Sequence, residues 1–210
     1  MMGMVGLTRT GRFTGVGIVL MLVALSAGCL GRSPAADHFV LGSNGLLSID
    51  RRAPELAVLI GPVRLPAYLD RPQMARLRSG GEVELDEYAR WLGGFETNFL
   101  RAVSLGVARQ LGSIRVTTFP SSAGFPFDAQ IRIYIDDLVV VDDESLRVRI
   151  RCALLREESG APPIFFLHEV SIPLEDDSTE GVVNAHDKAL ASFVGQIVAE
   201  LALIHRHLGD

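Results

Sequence analysis

The side chains best suited to chemistry lie close together in the second half of the chain, where Asp136, Asp137, Asp142, Asp143 and Glu144 form the densest group of acids. Paired carboxylates can bind a hard cation or divide acid and base roles between them, as an envelope hydrolase would need. Their spacing favours a structural role. Counting residue pairs outward from a turn at Asp142-Asp143-Glu144 sets Asp137 opposite Arg149, which predicts a cross-strand ion pair beside a solvated turn. The five histidines, His38, His168, His186, His205 and His207, lack metal-ligand spacing, and the last two diverge around an expected helix. Cys152 falls on the apolar parity of its strand, where a free thiol behaves as a small hydrophobe. No nucleophile elbow, phosphate-cradling glycine loop or dinucleotide fingerprint occurs. The expectation is a chain with no catalytic residue, no metal site and no cofactor. Arg147, Arg149 and Arg151 share one strand face, as counter-ions for nearby acids or as a patch for anionic headgroups or an acidic partner.

The elements that carry these residues follow from hydrophobic period. Ile131, Ile133 and Ile135 alternate with polar residues, as do Leu146, Val148, Ile150, Cys152 and Leu154, so an antiparallel hairpin with one apolar face is expected. The apolar parity slips from odd to even positions across Asp136-Asp137, which predicts a bulge there. Shorter strands are expected at His38–Leu41, Leu56–Ile60, Ile114–Phe119 and Ile164–Ile172, and a hairpin joins Gln73–Arg78 to Glu82–Asp86 through Ser79-Gly80-Gly81. A turn follows the first strand at Gly42-Ser43-Asn44-Gly45. The prolines of Gly61-Pro62-Val63-Arg64-Leu65-Pro66 must bend or stop the second strand. Phe95, Phe99, Val103, Val107 and Leu111 form one helical stripe, closed by Gly112. Leu190, Phe193, Val194, Ile197, Val198 and Leu201 form another, within a helix from Gly181 to Leu208. Strands, helix, strands and helix without regular βα alternation imply an α+β domain: a mostly antiparallel mixed sheet with two amphipathic helices packed on one face.

The N-terminus carries a different signal. Arg9 and Arg12 precede an uncharged run from Phe13 to Gly28, whose apolar centre is Val16 to Leu25. That core is shorter than the roughly 20 residues of a spanning helix, and it ends in small residues, the order of a secretory signal peptide. Leu25-Ser26-Ala27-Gly28-Cys29 resembles a lipobox, with Ser26 where leucine is usual. The expected organisation is a signal peptide at 1–28, a lipidated Cys29 and tether at 29–37, and one domain at 38–210. Acyl chains such as palmitate on Cys29 would anchor the product, because each buried methylene contributes about 0.8 kcal/mol. Leu30, rather than aspartate, follows the cysteine, and by resemblance to enterobacterial sorting this favours the outer membrane, facing the periplasm. From Leu30 to Asp37 the tether reaches under roughly 30 Å even when extended.

Composition agrees with a folded, exported body. Of the 210 residues, 48% are apolar and 21% charged, enough for a core and unlike a disordered chain. Removing residues 1–28 deletes two arginines and no acid, so the net charge of −5 becomes −7, a poor basis for binding nucleic acid.

One stretch is more specific than strand propensity demands: Val58-Leu59-Ile60-Gly61-Pro62-Val63-Arg64-Leu65-Pro66-Ala67-Tyr68-Leu69-Asp70-Arg71-Pro72-Gln73-Met74. It resembles the PqiC-like ABC-type transport auxiliary lipoproteins. Ser33-Pro34, Phe39-Val40-Leu41, Glu84-Leu85 and Arg90-Trp91 add to the resemblance, while Leu92-Gly93-Gly94-Phe95 departs from the Ala-Glu-Pro-Leu that relatives often carry. The resemblance implies an accessory subunit of an MCE-type intermembrane lipid transport system. Its partners would be a periplasmic MCE-domain protein with its transporter, the membrane through acyl chains, and further copies of itself. It also implies a rigid contact segment formed by Leu65, Pro66, Tyr68, Leu69, Asp70, Arg71, Pro72 and Gln73, or a crossover packed on its own core. A structural or assembly lipoprotein of the envelope is the alternative. Mass spectrometry of the native product is expected to show an N-terminus at Cys29 carrying acyl groups. An unprocessed leader or an unmodified thiol would refute the anchor.

Overall fold

Among the residues described by the computed structural model, 34–42, 56–121, 124, 126–157 and 162–208 with the side chains of 204–208 excepted, there are eight strands and two helices. In chain order these are β1 (Asp37–Phe39), β2 (Val58–Arg64), β3 (Gln73–Leu77), β4 (Val83–Trp91), α1 (Phe95–Leu111), β5 (Val116–Thr118), β6 (Ala129–Val141), β7 (Ser145–Arg156), β8 (Ile164–Pro173) and α2 (Thr179–Leu208). The expected signal peptide, the expected lipidation site at Cys29 and the expected turn at Ser43-Asn44-Gly45 lie outside the described residues. The elements from Ala36 onward belong to one unit.

The long strand β6 organises the sheet. Along one edge it pairs antiparallel with β7 for its full length, and β7 in turn pairs with β8. On the other edge its first half pairs with β2 and its last residues with β3, so the sheet forks into β2–β5 and β3–β4–β1. The expected bulge is present, with a register shift between Ile135 and Asp137. It swaps the inward parity, so that Ile131, Ile133 and Ile135 before it and Leu138 and Val140 after it are all buried on the helix side.

The α+β class holds, but "mostly antiparallel" needs correction. Four of the seven ladders are parallel: β1–β4, β2–β5, β2–β6 and β3–β6. The extended crossover from β2 to β3 returns the chain in the same direction, and the passage through α1 brings β5 in parallel to β2, connections that local alternation does not reveal. Strand β2 bends without stopping: it carries a cis Gly61-Pro62 bond and a register shift between Ile60 and Val63, then continues to Arg64. The side-chain amide of Gln130 donates to the Gly61 carbonyl at 2.9 Å and satisfies it at this irregularity. Strand β4 runs on to Trp91, five residues beyond the expected hairpin arm, because it also pairs with β1.

Both helices cover the same face. Phe95, Phe99 and Phe193 stack with centroids 5.7 and 6.0 Å apart, and Trp91 meets Phe95 edge-on at 5.9 Å. Each fully buried phenylalanine contributes roughly 1.5–3 kcal/mol of burial. The entry to α1 explains the departure at Leu92-Gly93-Gly94: both glycines take positive φ, 75° and 88°, where a Cβ would be strained. The buried side chain of Asn98 then donates to the Leu92 and Gly94 carbonyls and ties the turn to the helix.

The helices pack closely at Gly106, where an added Cβ would lie 2.8 Å from Val194 Cγ2. Valine in a helix is stiff at χ1, so it cannot swing aside. Gly106→Ala is therefore expected to lower stability by about 1 kcal/mol in urea denaturation, despite the better helix propensity of alanine. Val194→Ala in the same chain should restore part of that loss; additive effects would show that the contact is not the cause.

Candidate functional site

The acidic cluster is held by arginines. Asp142 and Asp143 occupy left-handed backbone at the β6–β7 turn, φ 50° and 58°, a conformation that aspartate tolerates. Asp143 accepts from Arg76 Nη1 at 2.5 Å and also from Arg78, while Arg78 Nε reaches Glu84 at 2.7 Å. Arg76 Nη2 donates to the Asp177 carbonyl ahead of α2 at 3.1 Å, and Ser79 N–H donates to Asp142 at 2.6 Å. The β6–β7 turn is thus clamped to the β3–β4 hairpin and to the entry of α2. The hydrogen bond from Arg78 holds the Asp143 carboxyl below the usual carboxylate range.

The register places Asp137 opposite Arg149, as counted from sequence, but the ion pair expected between them is not the one formed. Arg149 turns the other way to Glu169, its register partner on β8, at 2.5 Å. Asp137 instead takes Arg147 diagonally at 3.1 Å, and Asp136 takes Arg151 through two contacts of 2.6 Å. The bulge moves Asp136 and Asp137 off the even pleat and shifts each partner along β7. All three arginines of the strand face therefore have carboxylate partners. Among the described residues no group of three or more His, Cys, Asp or Glu is arranged to hold a metal ion.

The buried ionisable groups are built into the core. Cys152 is buried, and burial pushes its thiol up to about 12, which disfavours the thiolate. His186 donates from Nδ1 to the Val182 carbonyl at 2.8 Å and packs edge-on against Trp91; burial pushes its pKa down to about 4, so it is neutral. The void beside it is about 10 Å³, room for at most one water. His168 meets Gln196 Oε1 through Nδ1 at 2.7 Å, and Gln196 donates to the Leu167 carbonyl on β8.

The contact segment divides into two parts. Leu69 is buried, Leu65 and Pro66 are half-buried, and Tyr68 donates to Asp137 at 3.3 Å across the gap between β2 and β3. Burial, then the charge of Asp137, pushes the Tyr68 phenol up to about 12. These residues close the fork of the sheet. Asp70, Arg71 and Pro72 are exposed and border a groove of about 200 Å³ that ends at Gly94 and the first turn of α1; Gln73, half-buried, opens β3 opposite Arg90. Arg76, Arg78 and Gln196 were not singled out from sequence, and Glu84 only as part of the family resemblance. The alternation of β3 puts both arginines on one face, but the partner they share, Asp143, comes from about 65 residues away.

Fold and surface define an α+β domain whose charges tie its turns together and whose free features are surface segments. The chain belongs to the family of ABC-type transport auxiliary lipoprotein components, which it matches over residues 47–198. No curated protein matches it. Among solved structures, a DUF330-family protein from Xanthomonas campestris is similar, with 12% identity and a TM-score of 0.65, over 83% of this chain and 99% of that one. A protein described only as uncharacterized is similar at 13% identity and a TM-score of 0.63, over 80% and 99% of the two chains. At these identities the likeness concerns the fold.

Asp143→Asn is expected to lower stability by about 1–2 kcal/mol, because two charge-assisted bonds weaken while the left-handed turn is retained. Asp136→Asn, in an exposed pair, should change stability by less than about 0.5 kcal/mol. Equal losses in urea denaturation would contradict the clamp.

Proposed function

We propose that this chain is a membrane-anchored subunit of an MCE/ABC-type intermembrane lipid transport system, docking the periplasmic MCE component at the outer membrane. Family membership over most of the mature chain carries the reading. Two features of the chain support it. Of the densest acidic run, Asp136, Asp137 and Asp143 are engaged with Arg151, Arg147 and Arg76 within the body, while Asp70 and Arg71 stand exposed at the surface. Anchoring is assigned to Cys29 by the lipobox-like Leu25-Ser26-Ala27-Gly28-Cys29; among the described residues no helix is long and apolar enough to cross a membrane.

The partner contact is assigned to Asp70, Arg71 and Pro72 with the adjoining groove. They are exposed on a crossover whose buried half, Leu69 and Tyr68, holds it rigid, and a rigid loop loses little entropy on binding. Crosslinking in cells is expected to recover an MCE-domain protein with the native chain. Combined Asp70→Arg and Arg71→Glu should cut that recovery at least tenfold without changing the melting temperature. Recovery of no MCE protein by the native chain would refute the reading.

A further inference from the structure

We propose that the outward face at the start of β8 is a membrane-contact surface that lies in the headgroup region of an anionic bilayer. The inference rests on the anchored-subunit reading and deepens it: the acyl chains set the distance to the bilayer, and this face sets the orientation of the body. Residues paired in adjacent strands point to the same side of a sheet, so the register defines what the face carries. One row is Arg132, Ala153 and Phe165, and the next is Arg64, Tyr134, Arg151 and Leu167. Phe165 is 76% exposed and Leu167 49%. An open groove of about 400 Å³ lies beside Phe165 and Leu167, bordered by Tyr134 and Arg151.

Size and charge together select the occupant. These two side chains amount to an apolar patch on the order of 200 Å². A stable protein interface needs roughly 800 Å² per partner, so the patch is small for a second copy or a transporter subunit. A bilayer asks for less, because a lipid-anchored protein needs only a weak second signal to lie in one orientation. The chain as a whole is acidic, at −5, yet these two rows hold three arginines, and the acid that reaches them is Asp136, paired with Arg151. Arg64 and Arg132 are exposed and have no ion-pair partner among the described residues. Arg151 also lies over the Tyr134 ring at 6.0 Å, an aromatic and cation pair suited to the boundary between water and acyl chains. Apolar side chains flanked by arginines complement a surface of anionic headgroups over hydrocarbon.

The test uses the full lipoprotein reconstituted in vesicles of phosphatidylethanolamine and phosphatidylglycerol with brominated acyl chains. Trp91 is the chain's single tryptophan and is buried, so Phe165→Trp adds a surface reporter. Its added fluorescence is expected to fall about twofold relative to unbrominated vesicles. Omitting phosphatidylglycerol, or combining Arg64→Glu with Arg132→Glu, should remove at least half of that quenching. Tyr88→Trp, exposed on β4, is the control and should stay unquenched. Flotation with the vesicles reads the anchor separately. Protein that floats but shows no quenching at the Phe165 site, or equal quenching at both sites, overturns the membrane surface and leaves the anchor standing. Protein that fails to float overturns the anchored reading itself. Protection of the reporter only when the transporter partner is added would identify a protein interface and also overturn the inference.

Discussion

A strand that must keep one side apolar while changing its pleat halfway along places the remaining elements of this domain. Before the bulge at Asp136-Asp137, β6 turns its odd residues towards the helices, and after it the even ones. The bend lets two separate strands share one edge: β2 beside the first half and β3 beside the end. The gap left between them is filled by the proline crossover, anchored by buried Leu69 and by the hydrogen bond from Tyr68 to Asp137 at the bulge itself. Without the bulge, one half of β6 would turn Leu138 and Val140 to solvent, because a single-residue slip reverses every side chain that follows.

The charged groups follow from that geometry. Arginines on β3 and β7 meet acids from the β6–β7 turn, the bulge and β8, so the densest acidic run in the chain becomes a set of fastenings between distant segments. Exposed pairs of this kind contribute little stability individually. Asp143 differs, since it joins two arginines on one hairpin and, through Arg76, the loop before α2. The exposed features of the domain lie apart: the crossover tip at Asp70-Arg71-Pro72 in the fork of the sheet, and the aromatic end of β8 at the far side of β7. The first is the proposed partner contact and the second the proposed lipid contact, and their separation lets both be engaged at once.

Local pattern determined a good deal. The two helical stripes, the β6–β7 hairpin, the parity slip at Asp136-Asp137 and the closing glycine at position 112 are all present, because each depends on residues within one or two turns of chain or directly across a tight turn. The register of Asp137 opposite Arg149 was legible for the same reason. The family was legible in Val58–Met74, where prolines and a Gly-Pro step restrict the backbone more than a generic strand would.

Only the tertiary structure decided what those elements do to one another. Parallel pairing of β2 and β3 with β6 depends on where crossovers return the chain, and hydrophobic period carries no information on strand direction. Arg149 chose Glu169 over Asp137 because β8 supplies a second, equally placed carboxylate that no count within the first hairpin could include. The crossover's division into a buried anchor and an exposed tip, and the exposure of Phe165 and Leu167 on a strand that reads as apolar, likewise depend on which face the helices cover. Sequence determines which residues prefer to leave water, whereas the number of neighbours available to cover them is a property of the assembled sheet.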